Sequence, residues 1–126
     1  QGDLRSMLEE RNDEGMNIIM SACQNEYLPT ESLKLLLSAC AEHADLQNML
    51  QHRDVNEMNA LMIAVNSCIK PASVRHLIAC FPSDESLQFA LAVKNTDGLS
   101  AIDLADSDDD LKTLLLDPDC LKKCRE

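Results

Sequence analysis

The sequence predicts an all-α protein, an α-solenoid of three stacked helix-pair repeats with extra short helical segments. Three observations predict it. One passage occurs three times, from Leu4-Arg5-Ser6-Met7-Leu8 to Gly15-Met16-Asn17, from Leu46-Gln47-Asn48-Met49-Leu50 to Glu57-Met58-Asn59, and from Leu87-Gln88-Phe89-Ala90-Leu91 to Gly98-Leu99-Ser100. The first interval, Leu4 to Leu46, is 42 positions and the second, Leu46 to Leu87, is 41. A period of that size marks supersecondary units that bury their apolar faces only against one another. Aromatic residues are almost absent, two Phe, one Tyr and no Trp against 45% apolar residues. Such a core of Leu, Ile, Val, Met, Ala and Cys suits closely packed helices better than a sheet. Finally, every copy opens with apolar residues at i, i+3 and i+4.

The opening segments carry Leu4, Met7 and Leu8; Leu46, Met49 and Leu50; Leu87, Ala90 and Leu91, each set on one face of a short helix. A polar turn follows. Asn12-Asp13-Glu14-Gly15 and Asn95-Thr96-Asp97-Gly98 end on a glycine able to take the positive φ of a tight reversal. Asp54-Val55-Asn56-Glu57 lacks it, which predicts a strained turn or one of another type. Two residues later stand Asn17, Asn59 and Ser100, whose side chains suit an N-cap, so a helix is expected to begin after each. Five residues past each cap comes an alanine, Ala22, Ala64 and Ala105, as expected where adjacent helices approach closely. A second helix is read over Ser32 to Leu37, Ser73 to Ile78 and Asp110 to Leu115, with Pro29 and Pro71 marking the linkers and Pro71 suited to a first turn. Asp117-Pro118-Asp119 ends the last one. The chain of 126 residues reads as a single domain, with repeats at about 4–45, 46–86 and 87–121. Its ends, Gln1-Gly2 and Lys122 to Glu126, look like cuts in a longer polypeptide.

Turn, glycine, capping residue, apolar helix with alanine, linker and leucine-rich helix together resemble the ankyrin repeat, whose signature is Asp-x-x-Gly-x-Thr-Pro-Leu-His-x-Ala followed by a Val-x-Leu-Leu-type helix. The matching stretches are Asn12 to Ala22, Asp54 to Ala64 and Asn95 to Ala105, and the likeness covers about residues 3 to 116. Asn or Ser replaces the threonine, Ile18, Ala60 and Ala101 replace the proline, and Met20, Met62 and Asp103 replace the histidine. The period exceeds the family's usual length of about 33 residues, so an armadillo- or HEAT-like stack of three-helix units, at about 40 to 47, is the alternative. The ankyrin resemblance implies partner binding on a concave side, by the turns and the exposed side of the first helix. The aligned turn positions supply a basic ladder of Arg11, Arg53 and Lys94 and an apolar one of Met16, Met58 and Leu99. Flanking them are Asp13, Glu14, Gln24, Asn25, Val55, Asn56, Asn66 and Thr96.

These residues predict a groove for a protein partner, an acidic and partly apolar peptide or loop; the competing role is pairing of the cations with Glu10, Asp13 and Asp54 while the methionines tuck under the next repeat. The expected function is a non-catalytic protein-interaction module presenting that concave groove. The alternative is a spacer or oligomerisation domain that orients neighbouring domains, with self-association through an apolar patch at residues 114–121. A net charge of −11 argues against direct binding to nucleic acid or an anionic membrane, and no apolar run approaches the roughly 18 to 20 residues of a membrane span. Cys23, Cys40, Cys68, Cys80, Cys120 and Cys124 fall at unrelated intervals, which reads as reduced thiols in a cytoplasmic or nuclear protein. Cys40 with His43, or Cys120 with Cys124, offers only half of a zinc site. The acidic run of Asp106, Asp108, Asp109 and Asp110 lacks calcium-loop spacing and suits a helix start. His43, His52 and His76 do not recur in register, and neither a phosphate-cradling glycine loop nor a nucleophile elbow is present. No enzyme activity, metal or cofactor is expected.

Overall fold

A computed structural model describes residues 6, 8, 10–25, 27–67, 69–81, 83–105 and 109–116. The described residues form helices and connections with no strand: α1 (Ile18–Cys23), α2 (Thr30–His43), α3 (Leu46–Gln51), α4 (Ala60–Asn66), α5 (Pro71–Ala79), α6 (Asp84–Ala92), α7 (Ala101–Leu104) and α8 (Asp109–Leu116). The protein is all-α. Asp106 and Asp108 of the acidic run, the segment 117–126 with Cys120 and Cys124, and Cys68 lie outside the described residues.

Local chemistry sets the helix starts. Asn17, Asn59 and Ser100 sit in extended backbone, and their side-chain oxygens accept the N–H of Met20 (3.0 Å), Met62 (2.9 Å) and Asp103 (3.4 Å). The side chains of Asp45 and Ser83 likewise accept the N–H of Asn48 and Ser86, capping α3 and α6. Pro71 occupies the first turn of α5, where its missing N–H costs nothing. α2 begins at Thr30, two residues before Ser32, because extended Pro29 supplies the carbonyl that accepts from Leu33. α7 is the shortest first helix, with four residues.

Helices in corresponding positions pack on one another. α1 meets α4 and α4 meets α7, while α2 meets α5 and α5 meets α8. Each first helix also packs on its own second helix, and the opening helices α3 and α6 lie against α4. Leu8, Ile19, Leu33, Leu50, Leu61, Leu77, Leu87 and Leu111 belong to one continuous buried cluster. In α4 the six residues from Ala60 to Val65 are all buried. The recurring alanine serves close approach there, with Ala64 fully buried and Ala105 nearly so, but Ala22 is only half-buried.

Candidate functional site

The three polar turns are built alike. Asn12 Oδ1 accepts the N–H of Glu14 (2.9 Å) and Met16 (3.0 Å), Asp54 Oδ1 those of Asn56 (2.8 Å) and Met58 (3.0 Å), and Asn95 Oδ1 those of Asp97 (2.8 Å) and Leu99 (3.0 Å). Gly15 and Gly98 both have φ +77°, and Glu57 is forced into the same left-handed region at φ +63°. The second turn is therefore of the same type as the others, made with a residue that resists it.

Backbone bonds tie these turns edge to edge. Val55 N–H donates to the Glu14 carbonyl (3.0 Å), and Thr96 N–H to the Asn56 carbonyl (3.0 Å). His52 Nε2 donates to the Gly15 carbonyl at 2.7 Å. Asn17 and Asn59 add a link one layer deeper, donating through Nδ2 to the carbonyls of Met49 (3.0 Å) and Ala90 (3.1 Å). The structure thus brings Asp13, Glu14, Val55, Asn56 and Thr96 together as one exposed row. Gln24, Asn25 and Asn66 are exposed at the far ends of α1 and α4, about 9–10 Å along helices of six and seven residues from the caps.

Neither ladder keeps the form expected of it. Met16 is 4% exposed and belongs to the core, Met58 is half-buried, and Leu99 reaches 39%. Long apolar side chains beside a packed turn are drawn inward, so only the last rung is open to a partner. Arg53 is engaged on its own molecule, pairing with the Glu57 carboxylate at 2.9 Å and donating to the carbonyls of Glu57 (3.2 Å) and Lys94 (3.0 Å). Arg11 and Lys94 remain exposed. Val55, at 62%, is the most exposed apolar residue of the turns.

Other exposed apolar side chains escaped the sequence reading: Tyr27 at 81%, Leu35 at 72% and Phe89 at 63%. Phe89 does not recur, since Ser6 and Asn48 hold its register position, so periodicity could not single it out. A hollow of about 230 Å³ between α2 and α5 is lined by Lys34, Leu37, Ser38, His76 and Cys80 among others. Burial pushes the Cys23 thiol up to about 12 and raises that of Cys80. Cys23 and Cys80 are free thiols. Asp103 is held below the usual carboxylate range, first by the backbone N–H and hydroxyl of Ser100 and then by the charges of Lys94 and Lys112. Among the described residues no three His, Cys, Asp or Glu side chains are grouped to hold a metal, and no helix is long and apolar enough to cross a membrane.

No protein-family model and no curated protein matches the chain. Its fold is similar to that of a chain in the solved structure of a predatory endopeptidase from Bdellovibrio bacteriovorus in complex with an immunity protein. The TM-score is 0.58 at 23% identity, over 86% of this chain and 49% of that one, so this chain spans about half its neighbour's length. At that identity the likeness is one of fold. It corrects the functional expectation: a concave groove presented to a peptide or domain, and equally a spacer orienting neighbouring domains, give way to a fold that occurs in an endopeptidase–immunity protein complex. Within this chain, Met16 is buried and Arg53 is exposed and paired with Glu57.

Proposed function

We propose that this chain is an interaction module of the immunity-protein kind, which binds a folded protein partner, a peptidase, and is not itself a catalyst. The observation that carries this reading is the fold shared with a chain of the endopeptidase–immunity protein complex. We read the packing of α1 on α4 on α7, and of α2 on α5 on α8, as three divergent ankyrin-like units in a solenoid. The bonded row of turns supports rigid presentation: backbone hydrogen bonds between the tips hold Val55, Asn56 and Thr96 at set spacing, so little conformational entropy is lost on docking. Around exposed Val55 and Leu99 the tips carry Asp13, Glu14 and Asp97 together with exposed Arg11 and Lys94, with Arg53 already paired, so the row offers a partner charges of both signs. Buried Asn17, Asn59 and Ser73 and the Oδ1 of Asp54 are engaged in turns, caps and packing, which supports a structural use of them over a catalytic one. Free Cys23 and Cys80 suit a reducing compartment such as the cytoplasm.

The test is retention of peptidases from the producing cell on the immobilised chain, followed by assay of the retained enzyme. One folded peptidase should be held at near 1:1 stoichiometry and inhibited. Val55→Glu with Leu99→Glu should weaken binding at least about tenfold with the helical circular dichroism unchanged. Retention unaffected by that pair would remove the turn row as the surface, and absence of any bound peptidase would remove the reading itself.

A further inference from the structure

The two ends of the helix stack are not equivalent. Ala60, Ile63 and Ala64 of α4 and Ser73 and Leu77 of α5 are all buried, and α4 and α5 meet α1 and α2. The Ser73 hydroxyl lies 3.0 Å from that of Thr30 across the junction. The corresponding positions of the first helix pair are Ile18, Ser21, Ala22, Ser32 and Leu36. Ile18 is 40% exposed, Ser21 and Ser32 are exposed, and Ala22 and Leu36 are half-buried. The same surface that is covered within the molecule is open at its leading end. A hollow of about 270 Å³, lined by Arg11, Met16, Asn17, Ile18 and Ser21 among others, opens at the same end.

Hydrogen bonding agrees. Val55 and Thr96, the second residues of their turns, donate N–H groups to the preceding turn, whereas the equivalent Asp13 N–H has no partner among the described residues. The trailing end differs. Met20 and Met62, fully buried, are replaced there by Asp103, exposed and locked in a capping box with Ser100. A second copy docking head to tail would have to bury that carboxylate against Ile18 and Ala22, which opposes filament growth.

We infer that the leading face of α1 and α2 is a seat for one more helix-pair unit of the same make, docked in line. Its trailing side would bring a long apolar residue where Met20 and Met62 stand and a turn carbonyl to Asp13 N–H. The chain itself supplies a probe. Leu87 and Leu4 share a register position, so residues 52–83 grafted directly ahead of Gln1 continue the period. The graft should raise the melting temperature by more than about 4 °C. Ile18→Lys should cancel that gain in the grafted protein and leave the ungrafted one unchanged. Because Ile18 is larger than the alanines at Ala60 and Ala101, the graft is made also with Ile18→Ala, which relieves any overpacking. A graft that leaves the melting temperature unchanged in both backgrounds, and is trimmed by protease back to the original chain, overturns the inference. Sedimentation of the ungrafted protein as a dimer that Ile18→Lys dissolves overturns it too, by giving the face to a second copy.

Discussion

Glu57 is the residue at which local preference and the imposed turn disagree most. At φ +63° it bears the left-handed penalty of about 1–2 kcal/mol that Gly15 and Gly98 avoid. Its exposed pair with Arg53 returns only about 0.2–1 kcal/mol. Glu57→Gly should therefore stabilise the fold by about 0.5–1 kcal/mol, read as a shift of the urea midpoint at constant slope; a lower midpoint would show that the ion pair outweighs the backbone. Asp54 presents a second conflict. Oδ1 accepts two N–H groups while Oδ2 is buried without a hydrogen bond, in a position that Asn12 and Asn95 fill elsewhere. Asp54→Asn should be nearly neutral in the same titration, whereas Asp54→Ala strands two donors and should cost about 2 kcal/mol. Cys23 tests burial. Its folded ionisation, pushed up to about 12, lies above that of an exposed thiol at about 8.5, so its contribution is complete below the unfolded value and declines as pH rises from there. At pH 8 Cys23 should react with a disulfide reagent far more slowly than the same thiol in denaturant, and equal rates would contradict its burial.

Among the elements, the first helices depend on a capping residue with two tasks. Asn59 is fully buried, accepts from Met62 N–H to start α4 and donates to the Ala90 carbonyl of α6; Asn17 does the same between α1 and α3. The first task was legible in the sequence because Asn, Asn and Ser recur at a helix start. The second was not, since only the fold brings residues about thirty apart into contact. Ser100, in the last copy, keeps the cap and closes a box with Asp103 instead. Asn59→Ser should preserve the cap and lose the tether, costing about 1–2 kcal/mol, and Asn59→Ala should lose both and cost about 2–4 kcal/mol. Equal losses for the two substitutions in chemical denaturation would assign the whole effect to the tether.

At the scale of the molecule, helical class and the position of most elements were readable because their cues are local: the spacing of Leu46, Met49 and Leu50, the cap at Asn59, the proline at Pro71. What the period concealed is that equivalent positions acquire different surroundings along a finite stack. Met16, Met58 and Leu99 share a register yet run from buried to exposed, and Ile18, Ala60 and Ala101 run the opposite way. A repeat unit is stabilised by its own contacts and by those with its neighbours, so stability depends on how many neighbours a unit has. α4 touches α1, α3, α5, α6 and α7 and has six consecutive buried residues, whereas α7 spans four residues and leaves Asp103 exposed. Native-state hydrogen exchange should accordingly protect the amides of Ile63, Ala64 and Val65 up to the global unfolding free energy. Those of α1 should open at lower cost, because Ile18 and Ala22 lack the cover that Ala60 and Ala64 receive, and α7 should open most readily of the three. If α7 exchanged as slowly as α4, the units would not be held by their neighbours, and the in-line packing would not be the source of stability.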